Sequence, residues 1–195
     1  MKKVIGLFAL LSIFIVSDAF SRPFGIGFGM TLEQISQISR TTPLNVTNDW
    51  YAITPPNTHE LFEIYMVRIH PVFGVYFIRA VSRNISTSGH GTELIGLFDN
   101  LVSNIERIYG DYYKVDRLNP EERIFTGSQH FMFTLSQGSR ELAVVWHREI
   151  GSRLPEDISE IIIFAGARNS SNGSIIIEYY SINYDAIEEE RFSVF

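Results

Sequence analysis

Five histidines, His59, His70, His90, His130 and His147, are the side chains of this chain best suited to moving protons or binding metal. None stands one helical turn from another, and the chain contains no cysteine, so neither a zinc site nor any other metal centre is expected. His90 lies three residues before Glu93 at the start of a helical pattern, where capping is the ordinary use of both. Nucleophilic chemistry would need a serine on a sharp turn with a base in reach. There is no Gly-x-Ser-x-Gly, and Ser128, after Gly127 and near His130, is the nearest approach. Gly25, Gly27 and Gly29 precede a helix as a phosphate-cradling loop would. Their spacing fits neither the dinucleotide fingerprint nor the P-loop, and no buried parallel βαβ pattern follows. Nucleophile, base and orienter cannot be assembled from spacing, so a non-catalytic protein without a cofactor is expected.

Aromatic residues are the more suggestive group. Tyrosine and tryptophan, with arginine, anchor protein interfaces because each joins a large apolar body to a polar tip. Trp50-Tyr51 and Tyr112-Tyr113, with Arg117 beside the second pair, are the candidate protein-contact residues.

The elements that must position them follow from periodicity. Phe24, Ile26, Phe28 and Met30 alternate with glycines, which predicts a strand with a bare backbone face open to close approach. Thr31 then predicts a helix over 31–39, with Gln34 completing a capping box, Met30 and Ile35 as a staple, and Leu32, Ile35 and Ile38 on one face. Pro43, Pro55 and Pro56 exclude a regular helix from the next stretch, which leaves room for a short strand at Trp50 to Ile53. Leu61 to Ile69 and Val75 to Val81 read as a hairpin with both faces largely apolar. After a small-residue linker at 86–91, Leu94, Phe98, Leu101, Ile105 and Ile108 form a helical stripe that Gly110 ends. Residues 111–129 read as a loop. Phe131 to Ser136, Glu141 to His147, Ser159 to Ala167 and Ser174 to Ile182 read as an antiparallel meander, and a short acidic helix follows at Asp185 to Arg191, with Asp185 and Glu188 spaced like a cap pair. The isoleucine runs at 161–163 and 175–177 belong in the sheet interior, since an exposed edge of that composition would aggregate. The fold class expected is α+β, a mostly antiparallel sheet (hairpin plus C-terminal meander) covered by one long and one short helix. Helix followed by hairpin occurs twice, which suggests a diverged duplication with subdomains 22–86 and 87–195.

Lys2 and Lys3 before the apolar run Val4 to Val16 predict a secretory signal, cut after Ala19 or, preferably, after Ser21. The run is too short to span a membrane, which argues against an integral membrane protein. Residues 22–195 then form a single α+β domain. Its net charge, −6 for the full chain, becomes more negative on loss of the two lysines with only Asp18, so nucleic acid is not an expected partner. A secreted domain without cysteine suits the bacterial periplasm, and excludes lipidation at a mature N-terminal cysteine. Phe195 ends the chain as outer-membrane barrels end, but Ser193, Arg191 and Glu189 behind it cannot face lipid.

Phe28-Gly29-Met30-Thr31-Leu32-Glu33-Gln34-Ile35 resembles the Gly-Met-Thr-x-x-Gln-hydrophobic helix start of the β-lactamase-inhibitor-protein-like fold, also found in small outer-membrane-assembly lipoproteins. The resemblance implies helices packed on an antiparallel sheet and a role in protein binding. It covers this stretch alone: no Gly-x-Pro ends the first helix and no second Gly-Met-Thr occurs, so it assigns no functional residue. Together these readings predict a periplasmic protein-recognition module of inhibitor, immunity or envelope-assembly type with a basic partner favoured by the acidic surface. The alternative is a carrier holding a small apolar or lipid-like ligand between sheet and helix.

Overall fold

The computed structural model describes residues 22–39, 44–45, 49–122 and 124–193. The secretory segment read at 1–21, the connection at 40–43 and 46–48, and Phe195 lie outside them.

At its start the chain turns where a strand was predicted. Pro23–Gly25 is a 3-10 turn with Phe24 at φ 55° and Gly25 at φ 83°, because proline at the first position and glycine at the third favour a turn over extension. The turn directs the Phe24 ring into the core, 5.0 Å from Tyr65 and 5.8 Å from Phe62. Close approach at the glycines does occur: Gly29 N donates to Val75 O at 2.9 Å and Val75 N donates to Met30 O at 2.8 Å. Helix α1 (Leu32–Ile38) begins with the expected capping box, Thr31 N donating to Gln34 Oε1 at 2.8 Å and Gln34 N to Thr31 Oγ1 at 3.3 Å. Of the predicted stripe only Ile35 is buried; Leu32 and Ile38 are exposed, since this two-turn helix reaches the core through one turn.

Among the described residues the strands form one nine-stranded sheet. They are β1 (Leu44–Asn45), β2 (Trp50–Ile53), β3 (Phe62–His70), β4 (Gly74–Ser82), β5 (Ile85–Ser86), β6 (Tyr113–Leu118), β7 (Arg140–His147), β8 (Ile158–Asn169) and β9 (Asn172–Ser181). The order is β1-β2-β3-β4-β9-β8-β7-β6, with β5 beside β9, and every pairing is antiparallel. The fold is thus α+β, with the predicted β3–β4 hairpin joined to the predicted β7–β8–β9 meander through β4 and β9. The stretches on either side of residue 86 therefore share a sheet. The isoleucine-rich strands β8 and β9 are interior, as their composition required.

Two readings of the middle of the chain need correction. Phe131–Ser136 is helix α3: Phe131, Met132, Thr134 and Leu135 are its buried residues, a helical period that the Phe-x-Phe-x-Leu alternation masked. With α3 in that place, the antiparallel pair that follows α2 is β6 and β7, not 131–136 and 141–147. Residues 113–118, read as loop, form edge strand β6; its exposed Lys114, Asp116 and Arg117 hid a β pattern because an edge strand needs little burial.

Helix α2 (Thr92–Tyr109) follows N-cap Gly91 and ends at Gly110, φ 77°. It buries Leu94, Phe98, Leu101, Val102 and Tyr109, so the stripe drifts from the predicted Ile108, which is exposed. It seats on the sheet at Gly173, where a Cβ would lie 2.9 Å from Leu94 Cδ2 and 3.1 Å from Met132 Cε. Fully buried Ile161, Ile163 and Ile175 belong to the same core. At the C-terminus, α4 (Tyr184–Phe192) packs Ile187 against Tyr76 and Phe77 in a second, smaller core. Glu188 does not act as the predicted cap partner of Asp185; N-cap Asn183 makes no side-chain cap bond, and Glu188 turns to Arg68.

Two glycines with similar backbone angles separate strain from space. Gly74 (φ 67°) would place a Cβ 2.3 Å from Gly29 O, whereas Gly138 (φ 70°) has nothing within 4 Å. Gly138→Ala is expected to cost about 1 kcal/mol of stability from the left-handed angle alone, and Gly74→Ala about 3 kcal/mol. Urea denaturation checks this, and equal losses would contradict the close approach of residue 29 to the β3–β4 hairpin.

Candidate functional site

In a sheet, laterally paired residues share a face, so register sorts every strand residue to one side. One face carries Val67, Ile78, Ile177, Ile163 and Val144 into the core beneath α2 and α3. The other is crossed by three parallel rows. The first runs Trp50, Arg68, Phe77, Tyr180, Glu160, His147; the second runs Met66, Arg79, Glu178, Ile162, Val145, Tyr113. The third is Ile64, Val81, Ile176, Phe164, Ala143, Val115, and it is wholly apolar.

Helix α4 covers the Arg68 end of the first row. A bulge opposite Arg68 inserts Tyr76 between the partners of Arg68 and Ile69, and so turns Tyr76 to the same side as Phe77. Arg68, only 6% exposed, lies 3.3 Å from Asp49 Oδ2 and 3.0 Å from Glu188 Oε1, with the Trp50 and Tyr76 rings 5.5 and 5.0 Å from its guanidinium carbon. Tyr76 donates its hydroxyl to Asp49 and, at 3.3 Å, to Glu188, while Arg191 reaches Glu188 at 3.0 Å. Burial pulls the Arg68 guanidinium down, but Tyr76, Asp49 and Glu188 outweigh it and hold it above its ordinary value. Burial and the bond to Asp49 push the Tyr76 hydroxyl far up, so it serves as a fixed donor. In the second row Arg79 Nε donates to Glu178 Oε1 at 2.7 Å, and Tyr180 donates its hydroxyl to the other carboxylate oxygen.

The described helices leave the third row open. Ile64 is 47% exposed, Val81, Ile176, Phe164 and Val115 are half-buried, and Ala143, between Phe164 and Val115, is buried. The row crosses six strands, roughly 24 Å at the usual strand spacing, and Ile162 and Val145 widen it.

The five candidate contact residues divide between the faces. Trp50 belongs to the first row, beneath the guanidinium groups of Arg68 and Arg79, whereas Tyr51 packs into the opposite core. Tyr112 packs on Trp146 of that core at 5.4 Å, while Tyr113 ends the second row with 62% of its surface exposed. Arg117 projects on the same side as Tyr113 and pairs with Glu141 at 3.0 Å. Adjacent residues of extended chain point to opposite sides, so neither aromatic pair acts as a unit. The two stretches are not brought together either: five strands separate β2 from β6, roughly 29 Å. What sequence reading missed is the band itself and the charges behind it. Arg68, Arg79 and Glu178 each interrupt an apolar strand, a signal that each has a partner across the sheet.

At the other end of the first row an open cleft of about 430 Å³ is lined by His147, Ser159, Glu160, Tyr180, Tyr184 and Asp185. A bulge in β8 at Ser159, whose hydroxyl donates to Tyr180 O and Ser181 O at 3.2 and 3.0 Å, shapes it. Among the described residues no three His, Asp or Glu side chains are grouped to hold a metal ion, and no helix is long and apolar enough to cross a membrane. No protein-family model, curated protein or solved structure matches the chain.

Burial holds the Glu160 carboxyl above its ordinary range; His147 opposes the shift, and Asp185 and Glu178 add to it. A carboxyl raised in the folded state binds its proton more tightly there than in the unfolded chain, so stability falls as pH rises through the folded value. Glu160→Gln removes that loss. The variant is expected to be more stable than the parent chain at pH 7, with the gain narrowing toward about pH 4. Denaturant titrations across that range test this, and a variant less stable at pH 7 would contradict it.

Proposed function

We propose that this chain is a periplasmic, non-catalytic protein-recognition module that binds its partner through the open sheet face. The observation that carries the reading is the apolar row from Ile64 to Val115, which spans six strands, is partly exposed at every residue but Ala143, and is covered by no described helix. Soluble proteins rarely expose a contiguous apolar band of this extent unless a partner covers it. Tyr113 and Arg117 at one margin are side chains of the kind that anchor such contacts. The likeness of Phe28 to Ile35 to the β-lactamase-inhibitor-protein-like helix start points the same way, and an inhibitor, immunity or envelope-assembly role suits a secreted, acidic module.

The packing favours recognition over the carrier reading. A carrier would hold its ligand between sheet and helix, yet Leu94, Phe98, Ile163 and Ile175 are fully buried there and α2 rests on the backbone of Gly173.

The test is capture from a solubilised envelope extract with residues 22–195, run beside Phe164→Asp. A charge on the band should abolish the contact, so the parent chain is expected to retain one stoichiometric protein that the variant loses. Identical recoveries from the two, or a small apolar ligand co-purifying in native mass spectrometry, would overturn the proposal.

A further inference from the structure

Most charges on the open face are paired, apart from Glu63 and Arg168 beside Ile64 and Val81 and one acidic cleft. Asp49 and Glu188 face Arg68 and Arg191, Glu178 faces Arg79, and Glu141 faces Arg117. Glu160 and Asp185 are in no ion pair among the described residues, and His147 is the one ionisable base in their cleft. Tyr180 and Tyr184 wall the cleft, their rings edge to face at 4.7 Å, and Tyr180 is held by its bond to Glu178. Carboxylates set among tyrosine rings form a receptor for an ammonium or guanidinium group, which gains both a charge-assisted hydrogen bond and attraction to the ring faces.

The cleft also adjoins the apolar band. Glu160, Ile162 and Phe164 alternate along β8 on the same face, so the acid lies about 7 Å from the nearest apolar side chain of the band and about 14 Å from Phe164 along the strand. One segment of a partner can therefore occupy both.

We infer that the cleft receives a lysine or arginine side chain from the same partner segment whose apolar residues cover the band. This rests on the recognition reading of the open face and specifies the chemistry of what it takes: an amphipathic protein segment with a cation beside its apolar side chains. The band supplies contact area and the cleft supplies orientation, because the cleft lies to one side of the band, beside β7, β8 and β9. A partner cation also relieves the repulsion of Glu160 by Asp185 and Glu178, which His147 opposes.

The experiment selects a phage-displayed library of random 16-residue peptides on residues 22–195. Winning sequences are expected to place Lys or Arg beside apolar residues. As synthetic peptides they should bind about tenfold more weakly to the Glu160→Gln/Asp185→Asn double variant and lose binding to Phe164→Asp. Selection on Glu160→Lys/Asp185→Lys should instead enrich Asp and Glu, a gain that a merely unfolded variant cannot produce. Winners without basic residues, or indifferent to the double variant yet lost with Phe164→Asp, would overturn the cation site and leave the recognition face standing. Winners indifferent to Phe164→Asp, no winners at all, or a homodimer in sedimentation that Phe164→Asp dissociates, would overturn both.

Discussion

A guanidinium with almost no access to water must be surrounded by groups that replace it, and Arg68 is such a group. Its site near the end of β3 would be untenable without Asp49, Glu188 and the flanking rings of Trp50 and Tyr76. Each of those partners comes from a different element: Asp49 from the turn before β2, where the backbone adopts φ 72°, Tyr76 from a bulge in β4, and Glu188 from α4. One buried cation thereby fixes the entry to β2, the irregularity of the hairpin and the seat of the C-terminal helix. Its partners are held in return, since loss of any one leaves charge uncompensated in a dry place.

The rest of that face follows from where Arg68 holds α4. The helix covers Tyr76 and Phe77 and stops at the first row, so among the described residues no helix covers the third row. The opposite face is closed by α2 and α3 over fully buried isoleucines, and the edge at β6 is guarded by Lys114, Asp116 and Arg117, with Arg140 reaching Asp116 at 2.6 Å and Lys114 reaching Asp99 at 3.1 Å. The edge at β6 is thus protected by charge, while the apolar row on the open face is covered by no described helix. The Glu160 cleft sits beside this gap, a carboxyl kept where its charge is unfavourable to the fold alone.

Much of this was legible in the sequence where local chemistry decides. Thr31 and Gln34 marked a helix start that forms as a capping box, Gly110 marked the end of α2, and the isoleucine runs had to be interior strands. The failures are places where two periods fit the same residues. Phe131 to Ser136 alternates like a strand and folds as a helix, because burying 131, 132 and 135 together requires a helical turn. The candidate contact residues divided for a related reason. Trp50-Tyr51 and Tyr112-Tyr113 are neighbours in sequence, but extended chain sends neighbours to opposite faces, and only the register shows which of them reaches the open side. The band was illegible because its six residues come one each from six strands; sequence reading recorded that both hairpin faces are apolar without showing that one of them stays uncovered.

The most direct measurement is site-specific photo-crosslinking in cells of the source organism, with benzoyl-phenylalanine placed at Phe164 on the open face or at Ile108 on the exposed side of α2. If the open face is the contact surface, position 164 yields a discrete protein adduct and position 108 yields none. Adducts from 108 with none from 164 would contradict it.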